Sequence, residues 1–275
     1  MVSTSGKGKE VLIVEDDPII ANLIKTFLTE RNYAISDMVN SGEDALYSAV
    51  TSFPDIILMD INLFGKIDGI SATRLITTML KIPVLFVSAQ DDDETFARAS
   101  VAEPASFIIK PFTGKDLYSN IEIALRNNDI VKNKRDYDPG PFRKLLRNSL
   151  SALDAYFILD PTGMILFLNP YAEQILGTDR YKPIMVSINR YMTFRDTRNN
   201  DLCTDTFRDI VREAATIGPR HYYGLVMADG SLRQMAIAAN LIHNNHNEII
   251  GYLVRVRRLK QNEILRAPSQ THNTK

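Results

Sequence analysis

A single cysteine, Cys203, stands among 275 residues. No internal disulfide can form, and a reducing cytoplasm is the expected location. No apolar run approaches the roughly 20 residues that a bilayer crossing requires, so membrane insertion is not expected. The polar opening MVSTSGKGKE lacks the apolar core of a signal peptide. All four histidines, His221, His243, His246 and His272, lack the helical setting and following acidic residue of a kinase phosphoacceptor, and no glycine-rich nucleotide box follows them. No helix-turn-helix, zinc or ribonucleoprotein signature supports nucleic-acid binding. What is there is a globular composition, 45% hydrophobic and 24% charged, in a chain long enough for two domains.

The net charge of -1 conceals a division. Residues 1–130 hold 11 Lys and Arg against 19 Asp and Glu, a balance of -8, and residues 131–275 hold 21 against 14, a balance of +7. Two such halves can attract one another, or the basic half can face an anionic partner.

The first half is organised around the stretch DIILMD, Asp55 to Asp60. A short continuous apolar run between Phe53-Pro54 and a carboxylate fits a strand buried on both faces of a parallel sheet. Similar runs occur at Val11–Val14, before Glu15-Asp16-Asp17, near Tyr33–Val39, at Pro83–Val87 before Ser88, and at Ala105–Ile109 before Lys110-Pro111. Helical periodicity separates them: Ile19 to Leu28 after Pro18, Ala45 to Val50, Ile70 to Leu80, a segment opened by Asp91-Asp92-Asp93-Glu94, and Leu117 to Leu125. Strands alternating with helices predict an α/β fold with a doubly wound five-stranded parallel sheet. Ligands of such sheets gather at the carboxyl ends of the strands, so Glu15, Asp16, Asp60, Ser88 and Lys110 are expected to share one rim.

Carboxylates crowded on that rim stay ionised only with a cation among them. Oxygen ligation with open positions suits Mg²⁺, which would position a phosphoryl donor against Asp60. Lys110 and the Ser88 hydroxyl can contact phosphoryl oxygens, and an attacking aspartate carboxylate yields an acyl phosphate.

In order and spacing, Glu15-Asp16, Asp60, Ser88 and Lys110-Pro111-Phe112 resemble the receiver domains of two-component response regulators, over about residues 10–128. The resemblance implies a flavodoxin-like fold with Asp60 as phosphoacceptor. It implies Asp16 as direct metal ligand, Glu15 acting through water, and the main-chain carbonyl of Asn62 as a further ligand. Ser88 and Lys110 would contact the phosphoryl group, helped by main-chain amides of Ile61, Asn62 and Ala89. Phe107 occupies the place of a switch aromatic, where movement toward the phosphorylated site changes the surface of the fourth helix, fifth strand and fifth helix. The chain departs from the family at Phe64, where proline is usual, in a loop Phe64–Gly69 one residue longer than the commonest form, in the missing hydroxyl at Phe107, and at Glu103-Pro104.

Asn127 to Pro141 is polar and charged, ends in Pro-Gly-Pro, and marks a linker at about residues 129–142 whose first part can extend the last helix. An amphipathic helix follows from Phe142 to Leu153, then strands at Ala155–Leu159 and Met164–Leu168 around the turn Asp160-Pro161-Thr162-Gly163, and a helix at Tyr171–Leu176 stopped by Gly177. A longer helix at Thr206–Ile217 precedes three strands, Arg220–Met227, Ser231–Ile242 and Ile249–Leu259. This α+β order, with DAYFILDPTGMILFLNPYAEQILG at the start and GYLVRVRRL at the end, looks like a PAS domain over about 143–259. That family binds small molecules or mediates dimerisation; no ligand signature can be read here, and the PAS ligand stays open. Cys203 reads as a small buried residue, His221 opens a strand, and His243 and His246 fall in a turn, settings that do not suit haem ligation. Tyr222-Tyr223, Met227 and Met235 read as sheet core. On the last strand, alternation places Arg255 and Arg257 opposite Val254 and Val256. The termini, residues 1–9 and 260–275, read as a polar tail and a disordered tail.

These expectations converge on a phosphorelay response regulator without an output enzyme of its own. Its partner would be a histidine kinase or phosphotransfer protein, with a homodimer also possible. Two alternatives stay open: a transcriptional regulator whose basic half binds DNA, and an unphosphorylated receiver used as a docking surface.

Overall fold

The computed structural model describes residues 8–65, 67–89, 93–134, 154–177, 184–196, 222–226, 232–243 and 248–259, with isolated positions 148, 208 and 211. The chain divides into two compact units, Met1–Arg147 and Asn148–Lys275.

In the first unit, β1 (Glu10–Val14), β2 (Ala34–Val39), β3 (Ile56–Met59), β4 (Val84–Ser88) and β5 (Ser106–Ile109) alternate with α1 (Pro18–Glu30), α2 (Gly42–Ser52), α3 (Gly69–Met79), α4 (Asp93–Val101) and α5 (Gly114–Lys134). The strands pair parallel in the order β2-β1-β3-β4-β5. Every residue of β3 and β4 is buried, as are Val11 to Val14 of β1. That explains why these strands read as unbroken apolar runs instead of alternating ones. One face carries Val11, Ile13, Ile56, Leu58, Leu85 and Val87 against Ile24 and Leu28 of α1 and Leu117 and Ile121 of α5. Leu12, Ile57 and Phe86, one position along, are equally buried and point to the opposite face by strand alternation.

Local chemistry sets the helix starts. Pro18 opens α1, and the Asp17 carboxylate accepts from the Ile19 N–H at 2.8 Å. Asp17 is therefore a cap and not a rim ligand. The Asp68 carboxylate does the same for α3, accepting from the Ser71 N–H at 2.8 Å. The helix α5 runs past residue 128 to Lys134, through the first part of the segment read as linker. Near the other end of the unit, Lys9 in the polar N-terminal segment forms an ion pair with Asp55 at 2.9 Å.

The second unit contains a six-stranded antiparallel sheet in the order β7-β6-β11-β10-β9-β8. Its strands are β6 (Ala155–Leu159), β7 (Ile165–Leu168), β8 (Thr193–Asp196), β9 (Tyr222–Val226), β10 (Leu232–His243) and β11 (Ile249–Arg258). A short helix α6 (Pro170–Leu176) lies between β7 and β8 and ends at Gly177, whose φ of 64° suits a residue without a Cβ. Asn169 is fully buried: its side chain caps α6 through the Ala172 N–H at 3.0 Å, accepts from the Tyr156 N–H at 2.9 Å and donates to the Asp154 carbonyl at 2.9 Å. Val254 and Val256 are buried while Arg255 is exposed and pairs with Asp154 at 3.2 Å. Met235 is buried in the sheet.

Two readings change. His243 ends β10, in register with Ile249, and is not a turn residue. The strand β8 was not anticipated, although Met192 and Phe194 are buried on either side of an exposed Thr193; four residues are too few for alternation to stand out. Several expectations lie outside the described residues: the Phe142–Leu153 and Thr206–Ile217 helices, the Pro-Gly-Pro end of the linker, Asp91-Asp92, Cys203, His221, Met227, His246, His272 and the tail from Lys260.

Candidate functional site

The parallel register brings the strand ends to one level. The Glu15 N–H donates to the Val39 carbonyl at 3.0 Å, the Asp60 N–H to the Val14 carbonyl at 2.9 Å and the Lys110 N–H to the Ser88 carbonyl at 2.8 Å. Each strand thus hands its next side chain to the same edge, and residues distant in sequence meet there.

Lys110 is the centre of the meeting. Its Nζ donates to both Glu15 oxygens, at 3.0 and 2.8 Å, and to Asp60 Oδ2 at 2.8 Å. Glu15 is 4% exposed and Asp60 7%, so the ammonium neutralises two carboxylates that water reaches poorly. Carboxylate oxygens of Glu15, Asp16 and Asp60 lie within 4.8 Å of one another. That grouping offers oxygen ligands alone, with Asp16 only half-buried, and it fits a hard divalent cation such as Mg²⁺.

Electrostatics follow from the crowding. Burial, with a contribution from the neighbouring Asp60 charge, pushes the Glu15 carboxyl up to about 7, although the two hydrogen bonds from Lys110 favour its charged form. Burial also opposes the Lys110 charge, but hydrogen bonds to Asp60 and Glu15 outweigh it and hold the ammonium above its ordinary range.

The other expected residues lie on the same strand ends and the loops that follow them. Ser88 ends β4 and is buried. The Asn62 N–H donates to Asp60 Oδ1 at 3.3 Å, and Ala89 is exposed immediately after Ser88. Phe107 is half-buried between Phe86, at a ring separation of 5.4 Å, and Phe96 of α4, at 4.7 Å. Phe64 is 77% exposed on the loop after Asp60.

Sequence reasoning missed what holds that loop. A Cβ on Gly69 would overlap the Asp60 main-chain carbonyl and one on Gly42 would overlap the Ile67 carbonyl, while one on Gly65 would stand 2.5 Å from Glu43 Oε2. Ser41 and Phe64 form an isolated parallel bridge, and the Gly69 N–H donates to the Ile61 carbonyl at 3.0 Å. The glycines were visible as letters; the approach that requires them was not.

Residues 11–122 match the response regulator receiver domain family. Over 125 residues the chain is 32% identical to the nisin biosynthesis regulatory protein NisR of Lactococcus lactis, covering 45% of this chain and 53% of that protein. It is 27% identical over 117 residues to the transcriptional regulatory protein ResD of Bacillus subtilis, covering 42% and 48% respectively. The chain spans about half the length of the curated relatives it matches. Among solved structures, the signal receiver domain of a modulated diguanylate cyclase from Desulfovibrio desulfuricans is 31% identical, with a TM-score of 0.43 and coverage of 44% of this chain and 97% of that one. A receiver domain of a sensor histidine kinase from Pseudomonas aeruginosa, solved with a magnesium ion coordinated in its active-site cleft, is 29% identical, with a TM-score of 0.40 and coverage of 43% and 98%. Residues 11–122 are a receiver domain of the two-component response regulator type.

Proposed function

We propose that, from this receiver domain, the chain works as a response regulator that accepts a phosphoryl group on Asp60 from the phosphohistidine of a partner kinase or phosphotransfer protein. The observation that carries the proposal is the Lys110 ammonium held against both Glu15 and Asp60, with Asp16 completing the acidic group. An Asp60 carboxylate oxygen forms the new P–O bond as the P–N bond breaks, and the electron pair leaves with the imidazole nitrogen, which takes a proton from water. Lys110 exchanges one carboxylate contact for a phosphoryl oxygen, and the Ser88 hydroxyl donates to another. Asp16, Asp60, the Asn62 main-chain carbonyl and, through water, Glu15 would hold Mg²⁺. Bound there, the ion supplies positive charge against the transferring phosphoryl group.

The test uses the protein with acetyl phosphate and Mg²⁺. Base-labile phosphate forms on the wild type and does not form on Asp60→Ala; equal labelling of both removes the proposal.

A pH dependence follows. For a carboxyl raised from 4.5 to about 7, the contribution to stability is fully present below about pH 4.5 and is lost as pH rises through 7 in metal-free protein. Mg²⁺ binding favours the deprotonated carboxylate and displaces that proton, so Mg²⁺ affinity falls about tenfold from pH 8 to pH 6. Titration calorimetry at the two pH values measures it; equal affinities would mean that Glu15 does not take part.

For the second unit we infer a PAS-like module for sensing or partner binding. A two-stranded hairpin, a short helix and three antiparallel strands, with β6 paired to β11, support this. The basic balance of residues 131–275 favours a second reading, a regulator that binds DNA. DNA binding that increases on phosphorylation and weakens with salt supports that reading, and no binding at low salt removes it.

A further inference from the structure

Among the described residues three carboxylates are buried: Glu15, Asp60 and Glu43. The first two share the Lys110 ammonium. Glu43 stands outside that group, in the first turn of α2, and the phosphoryl transfer above makes no use of it. The positive end of the helix offsets part of the cost of withholding its charge from water. That benefit does not account for the burial, because Asp44 in the same turn has it while remaining only half-buried.

The place of α2 accounts for it. The strand β2 ends level with the rim, where the Glu15 N–H reaches the Val39 carbonyl, so α2 starts beside the loop that leads from Asp60 to α3. Ser41, Gly42 and Glu43 each meet that loop. Ser41, whose hydroxyl caps α2 by accepting from the Asp44 N–H at 3.2 Å, forms the parallel bridge with Phe64. Gly42 lies so close to the Ile67 carbonyl that a Cβ would overlap it, and a Cβ on Gly65 would stand 2.5 Å from Glu43 Oε2 and 3.2 Å from its Cδ. With a φ of 125°, Gly65 has a backbone that other residues rarely adopt. The Glu43 carboxylate thus packs over main chain at a point of the loop that has no side chain. The main-chain carbonyl of Asn62, two residues before Phe64, is among the groups that would hold Mg²⁺. The loop is closed at its base by the Gly69 N–H on the Ile61 carbonyl at 3.0 Å. Holding its tip on α2 limits how far the Asn62 segment can move relative to Asp60.

We propose that Glu43 is a positioning residue for the metal site: it holds Phe64–Ile67 on the start of α2 and so sets the affinity of the rim for Mg²⁺ without touching the ion. The proposal rests on the metal-site reading above. A ligand that loses its support from behind loses metal affinity about tenfold, whereas a charge that serves only the helix end affects helix stability alone.

The experiment, run well below the unfolding midpoint of every variant, titrates the full chain with Mg²⁺ by calorimetry and follows hydrogen exchange over residues 61–68. Glu43→Ala weakens Mg²⁺ binding about tenfold and speeds exchange over that segment. Glu43→Gln keeps the shape and binds close to the wild type. Asp44→Ala removes the neighbouring charge from the same helix end and leaves Mg²⁺ binding unchanged. With acetyl phosphate, Glu43→Ala needs about tenfold more Mg²⁺ for half its maximal rate, and that maximal rate stays close to the wild type's. Wild type that binds no Mg²⁺ rejects the metal site itself. Normal binding by the wild type, with Glu43→Ala unchanged or with Asp44→Ala or Glu43→Gln weakened as much as Glu43→Ala, rejects the positioning role alone.

Discussion

Lys110→Ala lowers the rate of phosphorylation by acetyl phosphate about 100- to 1,000-fold, the cost of removing one donor aimed at developing negative charge. It also destabilises the metal-free receiver domain by about 3 kcal/mol at pH 8, because the buried carboxylates lose their shared counter-ion. The loss is smaller at pH 6, because the Glu15 carboxyl, raised to about 7 with Lys110 present and pushed further up without it, is then protonated and needs no counter-ion. Mg²⁺ recovers most of the stability, since a cation among the same oxygens replaces the charge, but leaves the rate low. Lys110→Arg separates the two effects further. It keeps the charge and much of the stability, yet its planar fork cannot stand in for a compact ammonium bonded to Glu15 and Asp60 at once. Chemical denaturation with and without Mg²⁺, together with phosphorylation rates, checks both. A stability unchanged by Lys110→Ala would show that the bridge does not hold the two acids in solution.

Gly69→Ala carries the second large effect. The added carbon would overlap the Asp60 main-chain carbonyl and stand 3.0 Å from the Ile61 Cα. Both obstacles are backbone, so no side chain can swing aside. Either α3 moves away or the end of β3 moves, at a cost of about 1–3 kcal/mol. A shift of about 1 Å in the attacking carboxylate lowers the rate about 100-fold. Gly163→Ala is the control. Nothing lies within 4 Å of a Cβ at Gly163, which sits in the other unit, so its φ of 87° costs backbone strain there and leaves Asp60 chemistry untouched. Normal phosphorylation of Gly69→Ala would mean that the tight approach does not position Asp60.

The rim was legible because a parallel sheet converts sequence order into convergence. Once Val11–Val14, Ile56–Met59 and Ser106–Ile109 are strands running one way, the residues after them share an edge, and the Glu15, Asp60 and Lys110 contacts follow. What stayed hidden depends on three-dimensional proximity without a sequence period. Asp16 was expected in the acidic group and joins it, but nothing in the spelling tells that Arg98 reaches Asp68 across thirty positions. The second unit was less legible for another reason. Its antiparallel strands mix buried and exposed residues, and short pieces such as Thr193–Asp196 resemble loops until their partner strand is known.

The most direct measurement locates the phosphoryl group chemically. Protein incubated with acetyl phosphate and Mg²⁺ is reduced with borohydride, which converts the carboxyl of an acyl phosphate to an alcohol, and its peptides are mapped by mass. If Asp60 is the phosphoacceptor, the peptide containing residue 60 alone carries the reduced side chain, and Asp60→Asn carries none. Reduction at another aspartate, or at none while phosphate is incorporated elsewhere, would contradict it.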